Sequence, residues 1–221
     1  MSTPENIANA ALDAVTFAQK LANGAGVTDD DADAIDGALL TLVSTDWFAD
    51  AGQFTQNYCD AVRTIARSAE PSAIKATLEG RIAALGGVVL PGAAMERLAN
   101  FCALCIIYVR DEYLTRNDAV AARASLRDIA DTVIEPSGDI LGLTSYEFGL
   151  SMSSSAISQL SAIGADRRPL VKAVASISQP STLAAYRLYG DPDRATRLVE
   201  RNAHATPLFM PTLFEAEAPD L

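Results

Sequence analysis

One histidine, one tryptophan and three cysteines among 221 residues leave little material for several kinds of chemistry. His204 stands in the turn between Asn202 and Pro207, which removes HExxH-type metal pairs and any arrangement needing two imidazoles. The cysteines are Cys59, Cys102 and Cys105. Cys102 and Cys105 form a single C-x-x-C, readable as a redox pair or half a zinc site, but no second pair accompanies it. Both lie within an apolar helical stretch, and reactive thiols need an electropositive, accessible setting, so packing is the preferred reading. No glycine-rich phosphate cradle is present. The run from Gly149 to Ser153 fails the G-x-S-x-G pattern at its last position, and its small residues suit close helix contacts better than a nucleophile.

Basic side chains are also in short supply, 17 against 28 acidic, giving a net charge of −11. A surface this acidic repels phosphate backbones, which predicts no direct nucleic-acid binding. The most apolar stretch, Leu98 to Val109, is bounded by Arg97 and Arg110 and interrupted by Asn100, so no membrane span is expected. The opening residues lack a basic stretch followed by an apolar one, which predicts synthesis and folding in the cytoplasm. Asp29, Asp30, Asp31 and Asp33 crowd one helix start, where the dipole favours carboxylates. They lack the central glycine and distal glutamate of a calcium loop. Carboxylates are plentiful enough for a glycosidase-like pair, but such a pair needs burial that spacing does not reveal. A non-enzyme without cofactor or metal is therefore expected.

What the chain does have is helical periodicity. Ser2 and Glu5 fit a capping box, and Ile7, Ala11, Ala14, Ala18 and Leu21 recur at helical spacing until Gly24. Ile35, Leu39, Leu42 and Val43 mark the inner face of a second helix. Trp47, Phe48 and Phe54 anchor a third, which buries Tyr58, Ala61, Val62, Ile65 and Ala66 as far as Pro71. Ile74, Leu78, Ile82 and Leu85 carry a fourth, stopped by Gly86-Gly87. Pro91 opens the central strut, with Leu98, Phe101, Cys102, Cys105 and Val109 inward. Asn117 and Asp118 cap a sixth helix, with Leu126, Ile129, Ala130 and Val133 inward, ending near Glu135-Pro136. A serine-rich helix from about Thr144 to Ile163 follows, with Tyr146, Phe148, Leu150, Ile157 and Leu160 as its apolar residues. Short connections between helices of similar length predict an antiparallel bundle over 1–166, with a candidate break into two sub-bundles near 86–91.

The C-terminal stretch changes character. From Pro169 to Ser178 apolar and small or polar residues alternate, placing Val171, Ala173, Ala175 and Ile177 on one face of a strand. Pro180, Ser181 and Thr182 signal a helix start, and Gly190 a helix end. Asp191 and Pro192 are the N-cap and first position of another helix, with Ala195, Leu198 and Val199 inward and Asn202 at its close. Arg194, Arg197 and Arg201 share another face, readable as a solvated stripe or as a site for an acidic protein partner. Pro207 to Pro211 reads as an edge strand. The fold class is thus mainly α, a multi-helix bundle followed by a small α+β module over 167–214, ordered strand, helix, helix, strand, with an acidic tail at 215–221.

Ala185, Tyr189, Gly190, Asp191 and Asn202 match the A-x-x-x-Y-G-D and following Asn pattern of the LysM-like module, which this region resembles. The longer run YRLYGDPDRATRLVERNAHATPLFMP is similar to the C-terminal end of the Mu-like phage DNA circulation protein family, tail and baseplate components of contractile-tailed phages. Members usually carry a β-rich region ahead of the helices and a glycine-rich turn after the apolar strand; this sequence opens with helix and has Thr212, Leu213 and Phe214 at the latter place. The resemblance implies a structural protein of the virion tail, assembled in the host cytoplasm and placed near the join of tail tube and baseplate hub. Its partners would be tube, hub and tape-measure proteins, with several copies in a symmetric assembly and no membrane contact. Tyr186, Arg187, Tyr189, Gly190, Asp191, Arg194, Arg197, Arg201, Asn202 and Phe209 are the candidate contact residues, since aromatics and arginine carry most interface energy. The alternatives are a peptidoglycan-binding LysM-like module on a helical stalk and a host intracellular helical adaptor.

Overall fold

Proline at a first helical position and apolar residues three and four apart set most of the architecture. The computed structural model describes residues 4–27, 29–46, 49–203 and 206–218, and among these are nine α-helices and two strands. The expected capping box of Ser2 with the Glu5 side chain, the Trp47 and Phe48 anchors and His204 lie outside what is described. The chain divides into two compact units, residues 1–112 with 122–160, and residues 113–121 with 161–221.

In the first unit the helices α1 (Pro4–Asn23), α2 (Asp29–Ser44), α3 (Ala51–Ser68), α4 (Pro71–Leu85) and α5 (Pro91–Arg110) follow one another through short connections. Asp50 caps α3, its Oδ1 accepting from the Gln53 amide at 2.8 Å, while α4 and α5 begin with proline, whose missing N–H costs nothing there. The inner face of α4 is as expected, Ile74, Leu78, Ile82 and Leu85 all being buried. On α2, Ile35 and Leu42 are buried but Val43 is exposed, because it stands about 80° round the helix from Ile35, past the edge of the buried stripe.

Helix α5 packs against α1, α3 and α4. Its length and composition are those of a membrane-crossing segment, contrary to the expectation from its flanking charges, yet 67% of its apolar window is buried inside the protein. Two arginines near its ends fix its neighbours. Arg97 Nη1 donates to the Leu85 and Gly86 carbonyls at 3.1 and 3.2 Å, and Arg110 Nη1 to the Ala66 and Ala69 carbonyls at 2.7 and 2.8 Å. The last carbonyls of a helix have no partner within it and carry its negative end, so a guanidinium satisfies both needs. The end of α4 thus meets the start of α5, and the end of α3 meets its end, making α4 antiparallel to the other two.

The sixth helix, α6, runs from Arg116 to Leu141 with Pro136 inside it, so the predicted stop at Glu135-Pro136 is corrected. Packing outweighs the lost hydrogen bond: Ser137 is buried and accepts from Arg97 Nε at 3.2 Å. The break comes instead at Gly142, whose φ of +94° L-residues avoid. Helix α7 (Leu143–Asp166) turns Gly149, Ser153, Ala156 and Leu160 inward. Phe148 and Leu150, two of its larger apolar residues, are exposed, because this close-packed helix presents its small residues to the core. A Cβ on Gly149 would stand 3.3 Å from Ile134 and Leu98.

In the second unit the N-cap of α6 is Thr115 rather than Asn117. The Thr115 amide donates to Asp118 Oδ2 at 2.9 Å and the Asp118 amide to Thr115 Oγ1 at 3.3 Å, a reciprocal capping box. Strand β1 (Leu170–Val174) pairs antiparallel with β2 (Leu213–Glu217), Leu170 opposite Glu217 and Val174 opposite Leu213. Between them come α8 (Ser181–Tyr189), a 3-10 turn (Pro192–Arg194) and α9 (Ala195–Arg201). The core is Ala184, Leu198, Met210, Phe214 and Ala216, with Ala173 and Ala175 packed on it.

Three expectations need correction here. The second strand is Leu213–Glu217, not Pro207–Pro211, and it includes Glu215 and Glu217 of the supposed tail. Prolines at both ends of the earlier piece supply no ladder N–H, and within it only Met210 bridges to Gln179. Val171 and Ile177 are exposed, so just the two alanines of the expected strand face pack inward. No hydroxyl caps α8; the Ser181 amide donates to the Pro207 carbonyl at 2.7 Å instead.

Candidate functional site

The ten candidate residues separate by what they touch. Gly190 ends α8 in the left-handed region, φ +71°, and Asp191 Oδ1 accepts from the Asp193 amide at 2.9 Å, starting the 3-10 turn. Arg187 Nη1 donates to Gln179 Oε1 at 2.7 Å. Tyr189 Oη accepts from the Glu217 amide at 2.9 Å, and burial pushes its phenol pKa up against the pull of that hydrogen bond. Asn202 is bound most fully: Nδ2 donates to the Leu198 and Glu215 carbonyls at 2.8 and 2.9 Å, and Oδ1 accepts from the Glu215 amide at 2.8 Å. These five residues hold the unit together internally.

The other five face outward or line a cleft. Tyr186 is 59% exposed and Phe209 65% exposed. Val174 and Leu213, register partners, add apolar surface on the outer face of the sheet. Arg194, Arg197 and Arg201 line a cleft of about 700 Å³ together with Arg167 and Arg168. The last two were not singled out by the sequence reading; their adjacency just before β1 was the available signal.

Four carboxylates, Asp118, Asp166, Glu200 and Glu217, border the same cleft. Pairing across it is loose. Arg201 Nη2 stands 3.9 Å from Glu217, and Arg194, with its Cζ 5.2 Å from the Tyr189 ring centre, has Nε 3.7 Å from Asp191. Arg81 and Glu96 in the first unit approach to 2.6 Å. Arg167 and Arg197 have no carboxylate partner among the described residues. Clustered guanidiniums repel one another, and carboxylates from outside relieve that repulsion through bidentate hydrogen bonds. The second unit holds eight basic and eight acidic side chains, leaving nine basic and twenty acidic, the whole excess of eleven, in the first.

The first unit contains a separate cavity of about 410 Å³ whose polar wall is Tyr58, Arg81 and Glu96 with Asp13 and Thr55. Tyr58 Oη donates to Asn100 Oδ1 at 3.0 Å, and burial raises its pKa well above the ordinary phenol value. Glu96 is engaged by Arg81 at 2.6 Å. Cys105 is buried and Cys102 half-buried; burial pushes the Cys102 thiol up to about 12 and raises Cys105 further. Neutral thiols of this kind are poor nucleophiles and poor metal ligands. No group of three or more His, Cys, Asp or Glu side chains able to hold a metal occurs among the described residues. Ser153, within the serine run, is buried in the face of α7, and Ser154 Oγ donates to the Ser151 carbonyl at 3.1 Å.

No protein-family model matches the chain, and a search of curated protein sequences finds no match either.

Proposed function

We propose that the chain is a non-catalytic structural component of a contractile phage tail, acting near the join of tail tube and baseplate hub through its C-terminal unit. The observation that carries this reading is the division of labour among the residues of the run that resembles the phage family. Arg187, Tyr189, Gly190, Asp191 and Asn202 hold the unit's shape, while Tyr186 and Phe209 are largely exposed and three arginines stand at one cleft. Exposed aromatics with arginine on a rigid support are what a protein partner binds. Sedimentation of the full chain with assembled tails tests it, comparing the natural chain with Tyr186→Ala and Phe209→Ala. Incorporation reduced at least about tenfold is expected, equivalent to about 1.4 kcal/mol; a chain absent from tails altogether overturns the proposal and favours a host adaptor.

A second reading has its own support. Strand, helix, helix, strand closed by one antiparallel pair is the order of a LysM-like module, which would bind cell-wall glycan. Retention of the full chain on purified peptidoglycan would favour that reading, and its release by soluble chitin-type oligosaccharides would separate glycan recognition from adsorption.

A further inference from the structure

We infer that the arginine cleft of one copy takes an acidic row on α6 of a second copy, joining chains head to tail. This rests on the proposed role as an assembly component but concerns the contact of the chain with itself.

The acidic row is Asp128, Asp131, Glu135 and Asp139, spaced by three, four and four residues and exposed throughout. That spacing lines them along one side of a helix. None of these side chains has a hydrogen-bond or ion-pair partner among the described residues. Arg194, Arg197 and Arg201 are spaced by three and four along the 3-10 turn and α9. Asp128, Asp131 and Glu135 repeat the three-and-four spacing of the arginines, each set about 10 Å long over seven residues at helical rise, so the two match charge for charge when laid side by side, with Asp139 one turn beyond. The charge partition points the same way, since the first unit carries the entire negative excess and the cleft lies in the balanced second unit. A nucleic acid is the poorer occupant: the cleft's own four carboxylates oppose a continuous phosphate backbone, and the chain as a whole is at −11. Because cleft and row are different surfaces, the contact is heterologous. Every head-to-tail pair keeps one cleft and one row free, and association proceeds to a ring or a filament.

Sedimentation velocity on the purified full chain at about 20 mM and about 500 mM salt reads the association, which is screened at the higher value. Species larger than one copy are expected at low salt and their loss at high salt. Arg167→Ala with Arg197→Ala, and separately Asp131→Ala with Glu135→Ala, remove charges that have no internal carboxylate or arginine partner, so the fold, followed by circular dichroism, is expected to be unchanged. Each pair raises the half-association concentration by at least about tenfold. Mixed one to one, the first variant supplies an intact row and the second an intact cleft, so growth stops at two copies. A natural chain that is monomeric at low salt overturns the inference. So does association untouched by either variant, or lost only with the cleft variant. Failure here with continued incorporation into tails leaves the proposed role standing; self-association without incorporation does the reverse.

Discussion

The side chain of Asn202 and the backbone of Glu215 exchange two hydrogen bonds, Nδ2 to the carbonyl at 2.9 Å and the amide to Oδ1 at 2.8 Å. A carboxamide here does the work of another strand's peptide group, fastening β2 to the end of α9. Asn202→Ala is expected to destabilise the C-terminal unit by about 2 kcal/mol, with two half-exposed bonds at about 1 kcal/mol each. Hydrogen exchange at the Glu215 amide is the direct readout. Asn202→Asp keeps the acceptor but not the donor, so its Glu215 amide should retain part of the protection; equal protection in all three chains would refute the assignment.

Arg97 is a buried guanidinium with no carboxylate beside it among the described residues, compensated by the Leu85 and Gly86 carbonyls and the Ser137 hydroxyl. Arg97→Met removes the charge and leaves those carbonyls without donors, at an expected cost of about 3 kcal/mol. Arg97→Lys is expected to recover part of that, since an ammonium still faces the helix end but lacks the fork that reaches the hydroxyl. Urea denaturation of the three chains gives the order.

Two helical glycines should respond in opposite directions to the same substitution. A Cβ on Gly138 would lie 2.8 Å from Tyr146 Cβ, so α6 and α7 must separate, and Gly138→Ala is expected to cost about 1–3 kcal/mol. Gly80, in α4, has nothing within 4 Å of an added Cβ, and Gly80→Ala should stabilise by up to about 1 kcal/mol through helix propensity alone. Thermal denaturation distinguishes them.

The thiols give the chain an alkaline limit. Unfolded Cys102 ionises near its ordinary value of 9.0, whereas the folded thiol holds its proton to about 12. Between those values the unfolded state binds fewer protons, so stability falls as pH rises, by up to about 1.4 kcal/mol per pH unit for this group. Cys105 and Tyr58, also raised by burial, act in the same direction. Cys102→Ala is expected to flatten the decline between pH 9 and 12, and a thiol reagent at pH 8 should react with Cys102 and Cys105 only after denaturant is added.

Much of the fold is legible in the residues themselves. Apolar spacing with proline and glycine punctuation identifies α4 and its buried face, and the order strand, helix, helix, strand appears in the second unit. What escaped depends on contacts distant in sequence. Pro136 reads locally as a stop, and only the burial of Ser137 beneath Arg97 explains a helix that runs through it. The apolar residues of α7 do not reveal its inner face: Phe148 and Leu150 are exposed, whereas α7 buries small residues where helices approach closely. At the candidate site the three arginines were identifiable by spacing. Their grouping with Arg167 and Arg168 required the fold, and so did the internal duty of Asn202, which sequence alone presented as a helix terminator and a candidate contact residue.

Leu170 and Glu217 face each other at the mouth of the small sheet, so the segment between them departs from and returns to nearly one point. A stretch whose two ends already touch adds little closure entropy to whatever carries it. Carried in a surface turn, a piece of this kind would leave the strands or helices on either side of the turn close to where they already stand.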